Sequence, residues 1–329
     1  MQRRHVVKAL AALAIAPLAV HAQQRGKQWR IGFLSSGMKP SAAQPDTNID
    51  AFLSGMRDLG YVEGKNLSVD WRFASGRYAS LPALAIELVQ TKPDLLVTYG
   101  TAPAEALRKV TQTIPIVIAA AIDPVKSGLV ASLARPGGNV TGLSAIAIDL
   151  SQKHVEMLAT IVPKLSRIMV VINPGNSGHA TLLKSVQAAA IRYKIAITST
   201  EVATAEDIDK AFAAARRANA GAVLVGGDAM FAGLALPFAA AATKTKMPAI
   251  GIYRDHVTAG TLMSYGQNLA DSHRRAANYV DKIFKGAKAG DLPVEQPTII
   301  ELFINRKTAK SLGLTIPQSL LISADKVLE

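Results

Sequence analysis

The sequence predicts an α/β protein built as two doubly wound lobes with a ligand cleft between them. Three observations carry that expectation. From Trp29 onward, short runs rich in β-branched and aliphatic residues alternate with amphipathic stretches, the pattern of parallel strands joined by crossover helices. The alternation runs through two successive series, each of ordinary domain length. Nothing between the series has the length or composition of a flexible linker, so the lobes must be joined by short, defined crossovers.

In the first series strands are expected at 30–34, 67–73, 95–98, 116–119 and 140–143, with helices at 48–59, 81–90 and 102–110. The turn-rich Arg135-Pro136-Gly137-Gly138-Asn139 marks the boundary, with the strand after it leaving the first lobe. The second series reads helix 150–161, strand 168–172, helix 179–193, strand 195–199, helix 205–218, strand 222–225, helix 234–245 and strand 249–252. Residues 260–265 read as a returning strand, 269–285 as a helix that needs a home in the first lobe, and 299–304 as a third crossing. The lobes are therefore assigned as residues 28–143 plus 265–298 and residues 144–264 plus 299–329. In open α/β sheets ligands sit at the carboxyl ends of the strands, so two such sheets face each other across a cleft that closes on its ligand.

The amino terminus carries Arg3, Arg4 and Lys8, then an apolar run at 9–20 that ends at Val20-His21-Ala22. This is the charged region, short hydrophobic region and small-residue cleavage site of an export signal. The run falls short of the roughly 20 apolar residues that span a hydrocarbon core. Residues 1–22 are thus expected to be removed near Ala22, leaving a periplasmic protein with no stable membrane insertion. The Arg3-Arg4 pair leaves the general and twin-arginine export routes both open. Cysteine is absent, which excludes a disulfide framework and a lipid-attachment cysteine. The net charge of +13 includes three positive charges of the leader, and the remaining positives are scattered, with Arg216-Arg217 and Arg274-Arg275 the only mature Arg-Arg pairs. That distribution argues against nucleic-acid binding and for a generally cationic surface. The chain is expected to be a monomer.

Several separate motifs resemble one family. RIGFLS at 30–35, LGYVEGKN at 59–66, GLVASLARPGGNVTG at 128–142, DLPVEQP at 291–297 and LGLTIP at 312–317 look like the ABC-transporter substrate-binding proteins, a family with tryptophan- and tyrosine-binding members. The similarity runs from Arg30 nearly to Glu329. It implies a periplasmic-binding-protein fold with Rossmann-like lobes and a three-crossover hinge, closing like a Venus flytrap. It also implies delivery of a small solute to a membrane permease and its ATPase in transient contact, without a cofactor or metal. It leaves the solute open, an amino acid being favoured.

Candidate ligand-binding residues are those at carboxyl strand ends. Ser35-Ser36-Gly37 could hold a carboxylate or form a plain turn. Gly100-Thr101-Ala102 opens a helix, where Thr101 is useful with or without a ligand. Asp123, before Pro124, could pair with a ligand ammonium or cap the turn. Asn173-Pro174-Gly175-Asn176-Ser177 offers amides, a hydroxyl and a helix N-terminus for an anion, although capping by Ser177 explains part of it. Asp228, after Gly226-Gly227, is a second ammonium candidate, and Tyr99 or Tyr253 could offer an aromatic face.

Rival classes find less support. No G-x-G-x-x-G, P-loop or G-x-S-x-G motif occurs, and no cysteine can serve as nucleophile. His154, His179, His256 and His273 lack metal spacing and each reads as a surface histidine. The leader occupies the place where a regulator on this fold would carry a DNA-binding module. A periplasmic sensor or co-receptor sharing the same fold and site stays open.

Overall fold

The computed structural model describes residues 27–41 and 45–329. The expected leader, residues 1–22, lies outside the described residues. The first lobe holds a five-stranded, wholly parallel sheet in the order β2-β1-β3-β4-β5, with β1 Trp29–Ser35, β2 Leu67–Phe73, β3 Leu95–Tyr99, β4 Ile116–Ile122 and β5 Val140–Ala145. The central strands β3 and β4 are buried at every residue, as expected when helices cover both faces. One face packs Leu34, Leu96 and Ile116 beneath α2 (Leu81–Gln90) and α3 (Thr101–Val110). The other packs Phe33 and Val117 beneath α1 (Thr47–Asp58), whose Phe52 and Met56 point inward one turn apart.

The second lobe contains a seven-stranded sheet in the order β12-β11-β10-β9-β8-β6-β7. Its parallel body comprises β6 Arg167–Ile172, β7 Ala196–Glu201, β8 Ala222–Val225, β9 Ala249–Gly251 and β10 Met263–Gln267. The strand β11 Ile300–Asn305 runs antiparallel to β10, and the short β12 Lys326–Leu328 closes that edge. Helices α4 (Ser151–Ile161) and α5 (Gly178–Ile191) cover one face, and α6 (Asp207–Arg217), α7 (Ala229–Gly233) and α8 (Ala235–Thr245) the other. Beyond β9 lie the short helix α9 (Arg254–Ala259) and, after β11, α11 (Arg306–Ser311) and α12 (Gln318–Ser323).

The chain passes between the lobes three times: after β5, after β10 and before β11. The helix α10 (Leu269–Phe284), expected to find a home in the first lobe, packs there against α1, β4 and β5. Residues 135–139 precede β5, which pairs with β4 in the first sheet before the chain crosses. Gly142 explains how β5 approaches so closely: its φ is +125°, and a Cβ there would sit 2.1 Å from the Ile118 carbonyl oxygen. Tyr265, where the expected division fell, is the middle residue of β10 in the larger sheet.

All four histidines taken for surface residues are buried. Each is tied to backbone from a distant or preceding turn. The Nε2–H of His154 donates to Tyr265 O at 2.6 Å and that of His256 to Phe231 O at 3.1 Å, while the Nδ1–H of His273 donates to Leu269 O at 2.9 Å. His179 is described with the site below. Removal from water disfavours the imidazolium, so burial lowers His154 and His256 to about 4 and also lowers His273.

Neutral in the fold but ordinary when unfolded, these groups make stability fall with acid. The unfolded chain takes up protons below about pH 6.5 while the folded chain resists until about pH 4. Their contribution is complete above pH 6.5 and is lost as the pH falls toward 4, on the order of 3 kcal/mol for each of His154 and His256. Denaturant unfolding at pH 7 and pH 4.5 should show this loss, and replacing His154 with Gln should remove part of the pH dependence.

Candidate functional site

Both sheets reverse their strand order at a point that faces the cleft, between β1 and β3 in the first lobe and between β6 and β8 in the second. Loops leave a sheet in opposite directions at such a point and open a crevice. The candidate residues read from the sequence lie in these loops or the adjoining ones.

From the first lobe, Ser35 Oγ accepts the Gly37 N–H at 3.0 Å, which forms the turn itself. Ser36 is fully buried and its hydroxyl faces that of Tyr78. Tyr99 ends β3, is buried, and its hydroxyl faces that of Tyr253 across the cleft. Burial, with Tyr253 close by, holds the Tyr99 phenol well above its ordinary pKa, so it stays an O–H. Thr101 does not cap its helix. Its Oγ1 accepts from Ile122 N at 3.0 Å and lies 3.3 Å from Ile122 O, which pins the start of α3 to the end of β4. Ala102 is buried in the first turn of α3 and offers no polar side chain. Asp123 adopts φ +43°, accepts from Lys126 N at 3.2 Å and pairs with Lys126 Nζ at 3.2 Å, so it performs the turn-capping role.

From the second lobe, Asn173 Oδ1 accepts from Gly175 N at 2.9 Å while its buried Nδ2 has no partner. Asn176 Nδ2 donates to Asp228 Oδ2 at 2.8 Å. Ser177 precedes α5 without capping it, and its Oγ reaches across the cleft to Glu105 Oε1 at 2.7 Å. Asp228, 2 % exposed, caps α7 through Met230 N at 2.9 Å and accepts the Tyr78 hydroxyl at 2.7 and 2.8 Å. Both of its oxygens are therefore engaged by the chain's own donors. Tyr253 is buried and stacks on His256 with ring centroids 6.2 Å apart, and burial raises its pKa.

A cavity of about 220 Å³ lies between the lobes, lined by Ser35, Asp46 and Tyr99 from the first and by Ala229, Leu236 and Asp255 from the second. Asp46 and Asp255 escaped the sequence reading. Asp46 caps α1 by accepting from Asn48 N at 2.9 Å and Ile49 N at 3.2 Å, which aims a carboxylate at the cavity mouth. Burial raises the Asp255 carboxyl above its ordinary range, opposed by Arg254 and reinforced by the negative charge of Asp46. Two acids that repel each other across a partly dry space favour a cation between them. The only signal of Asp46 in the sequence was its place one residue before the helix.

The second-lobe loops are held by His179, also unanticipated. Its Nδ1 accepts the Asn173 N–H at 2.6 Å and its Nε2–H donates to Gly227 O at 3.0 Å. This pair of bonds orients the ring and joins the loop bearing Asn176 to the loop bearing Asp228. Among the described residues no cluster of histidines and acids is arranged to hold a metal ion, and no helix is long and apolar enough to cross a membrane.

Two parallel-sheet lobes with their carboxyl edges facing across a polar cleft define a two-lobed binding protein of the periplasmic type. The chain belongs to the ABC transporter substrate binding protein family, whose model matches residues 42–328. It is 27 % identical over 289 residues to a tyrosine-binding protein of Clostridioides difficile, covering 88 % of this chain and 82 % of the relative. A crystal structure of a conserved domain protein from Vibrio cholerae superposes with a TM-score of 0.84 at 31 % identity, over 92 % of this chain and all of that one. An ABC domain from Streptococcus pneumoniae in complex with L-Trp superposes at 0.82 with 25 % identity and the same coverage.

The bridging role of His179 can be measured. Replacing it with Ala leaves the Asn173 N–H and the Gly227 carbonyl unpaired in a buried site, at a cost of about 2–4 kcal/mol for the two groups. Gln, which carries an acceptor and a donor on one group, should recover part of that loss in denaturant unfolding.

Proposed function

We propose that this chain is the solute-capturing subunit of a bacterial ABC importer, binding an amino acid between its lobes in the periplasm and presenting it to a permease and its ATPase. The observation that carries the reading is the cavity itself, bounded by both lobes and lined by the Asp46 and Asp255 carboxylates and by Tyr99.

The volume suits a small solute, being below the roughly 300–1,000 Å³ of pockets for drug-sized ligands. In this reading the solute's ammonium group sits between Asp46 and Asp255, in place of the Asp123 and Asp228 sites that the sequence put forward. Met38, Pro40 and Leu236 supply an apolar wall for its side chain. That wall, and relatives named for tyrosine or solved with L-Trp, favour an aromatic amino acid. Capture and release involve no covalent step. Export through the leader at residues 1–22 belongs to the same reading.

A thermal-shift screen of the chain without its leader against the common amino acids should give a saturable rise in melting temperature for a few of them. No shift from any amino acid would sink the assignment. Asp46→Asn keeps the helix cap and removes only the charge, as does Asp255→Asn for the opposite wall. Each should weaken an amine-bearing solute by about tenfold or more, measured by calorimetry. Unchanged affinity in both variants would move the ammonium elsewhere.

A further inference from the structure

Tyr78 belongs to the first lobe, in the short turn of residues Tyr78–Ser80 between β2 and α2, yet its side chain lies in a socket of the second. Its hydroxyl donates to both oxygens of Asp228. Its Cβ, Cγ and Cδ1 press against Gly175, where an added Cβ would come within 2.9 Å of all three. Beside it Gly76 receives Met230, whose Sδ would be 2.9 Å from a Cβ at that glycine. The socket has bonds of its own that do not involve Tyr78: Asn176 and the Met230 N–H orient Asp228, and His179 ties together the loops that carry Gly175 and Asp228. Tyr78 contributes nothing to the lining of the cavity.

We infer that Tyr78 is the closure-determining residue of this protein: by docking into the Gly175–Asp228 socket it sets how long the lobes stay shut, and hence solute affinity, without touching the solute. The inference rests on reading the chain as a binding protein whose lobes close. Burial and the charge of Asp228 hold the Tyr78 phenol well above its ordinary pKa, so the O–H is present throughout the physiological range. A hydrogen bond to a carboxylate is roughly twice as strong as a neutral one, and here it forms only when the lobes meet. A second polar contact across the cleft, Ser177 to Glu105, is exposed to water and contributes less.

Two substitutions separate this role from a solute contact. Tyr78→Phe deletes the hydroxyl and keeps the ring. Gly175→Ala leaves the hydroxyl and Asp228 intact but sets a methyl against the ring, and Gly175 is not left-handed, so alanine adds no backbone strain there. The chain has no cysteine, so Lys65→Cys and Arg217→Cys, one exposed position per lobe, accept a single pair of spin labels. Pulsed distance measurements on the solute-free protein should show a short-distance population that both Tyr78→Phe and Gly175→Ala shift to longer distances.

With L-tyrosine and L-tryptophan as probes, both variants should bind about tenfold more weakly, equally for the two probes, through faster dissociation and unchanged association. Distances and affinities like those of the parent in both variants would overturn the inference. So would an affinity loss confined to one probe, since Tyr78 would then be reading the solute. If neither probe binds the parent protein, the solute assignment fails, and the distance distributions alone decide the role of Tyr78: a shift supports it and identity overturns it.

Discussion

Polar groups in the space between two packed lobes have only each other, or a guest, to bond with. That constraint organises this molecule. Parallel sheets deliver every carboxyl strand end, with its loop and helix start, to the same edge, and here two such edges are pressed together. Asp228 is satisfied by three donors, one of them from the opposite lobe, and Thr101 by the backbone of the neighbouring strand. The Ser36 hydroxyl faces Tyr78 and that of Tyr99 faces Tyr253, while the Asn173 Nδ2 keeps no partner.

The architecture was legible in the sequence because central parallel strands are buried on both faces and therefore read as unbroken apolar runs, as at 95–99 and 116–122. Once the strands are placed, their carboxyl ends follow, and with them Ser35, Tyr99, Asn173 and Asp228. What these residues do was less legible, since the partner decides it. Tyr78 and Asp228 are 150 residues apart, and nothing local to either predicts their meeting. Asp123 and Asp228 read alike as acids at strand ends, yet one caps an exposed turn and the other anchors a buried network. The histidines misled for the same reason. A neutral imidazole buried against a backbone carbonyl from a distant segment looks, in one dimension, like any polar residue on a helix. Helices of five or six residues, such as α7 and α9, carry too few turns for a periodic pattern to emerge.

Rigid and yielding parts are separated in space. Within each lobe the contacts are apolar and close, including the Gly142 approach that admits no side chain. Between lobes apolar contacts occur as well, as where Gly178 meets Ile122 and Gly233 meets Met38, and polar ones gather around Tyr78 and the cavity. Specific polar contacts of this kind let a two-lobed receptor register that its lobes have met.

The threading of the chain has a consequence for the order in which the molecule is made. The first sheet is complete at Ala145, but one of its faces waits for α10, more than a hundred residues later. The second sheet gains its last three strands from β10, β11 and β12, the last of these at Lys326–Leu328. A chain that emerges from its amino end can therefore finish neither half until its final stretch is free. Until then the first sheet keeps an uncovered face and the second an unpaired edge, so neither half can fold to completion ahead of the other.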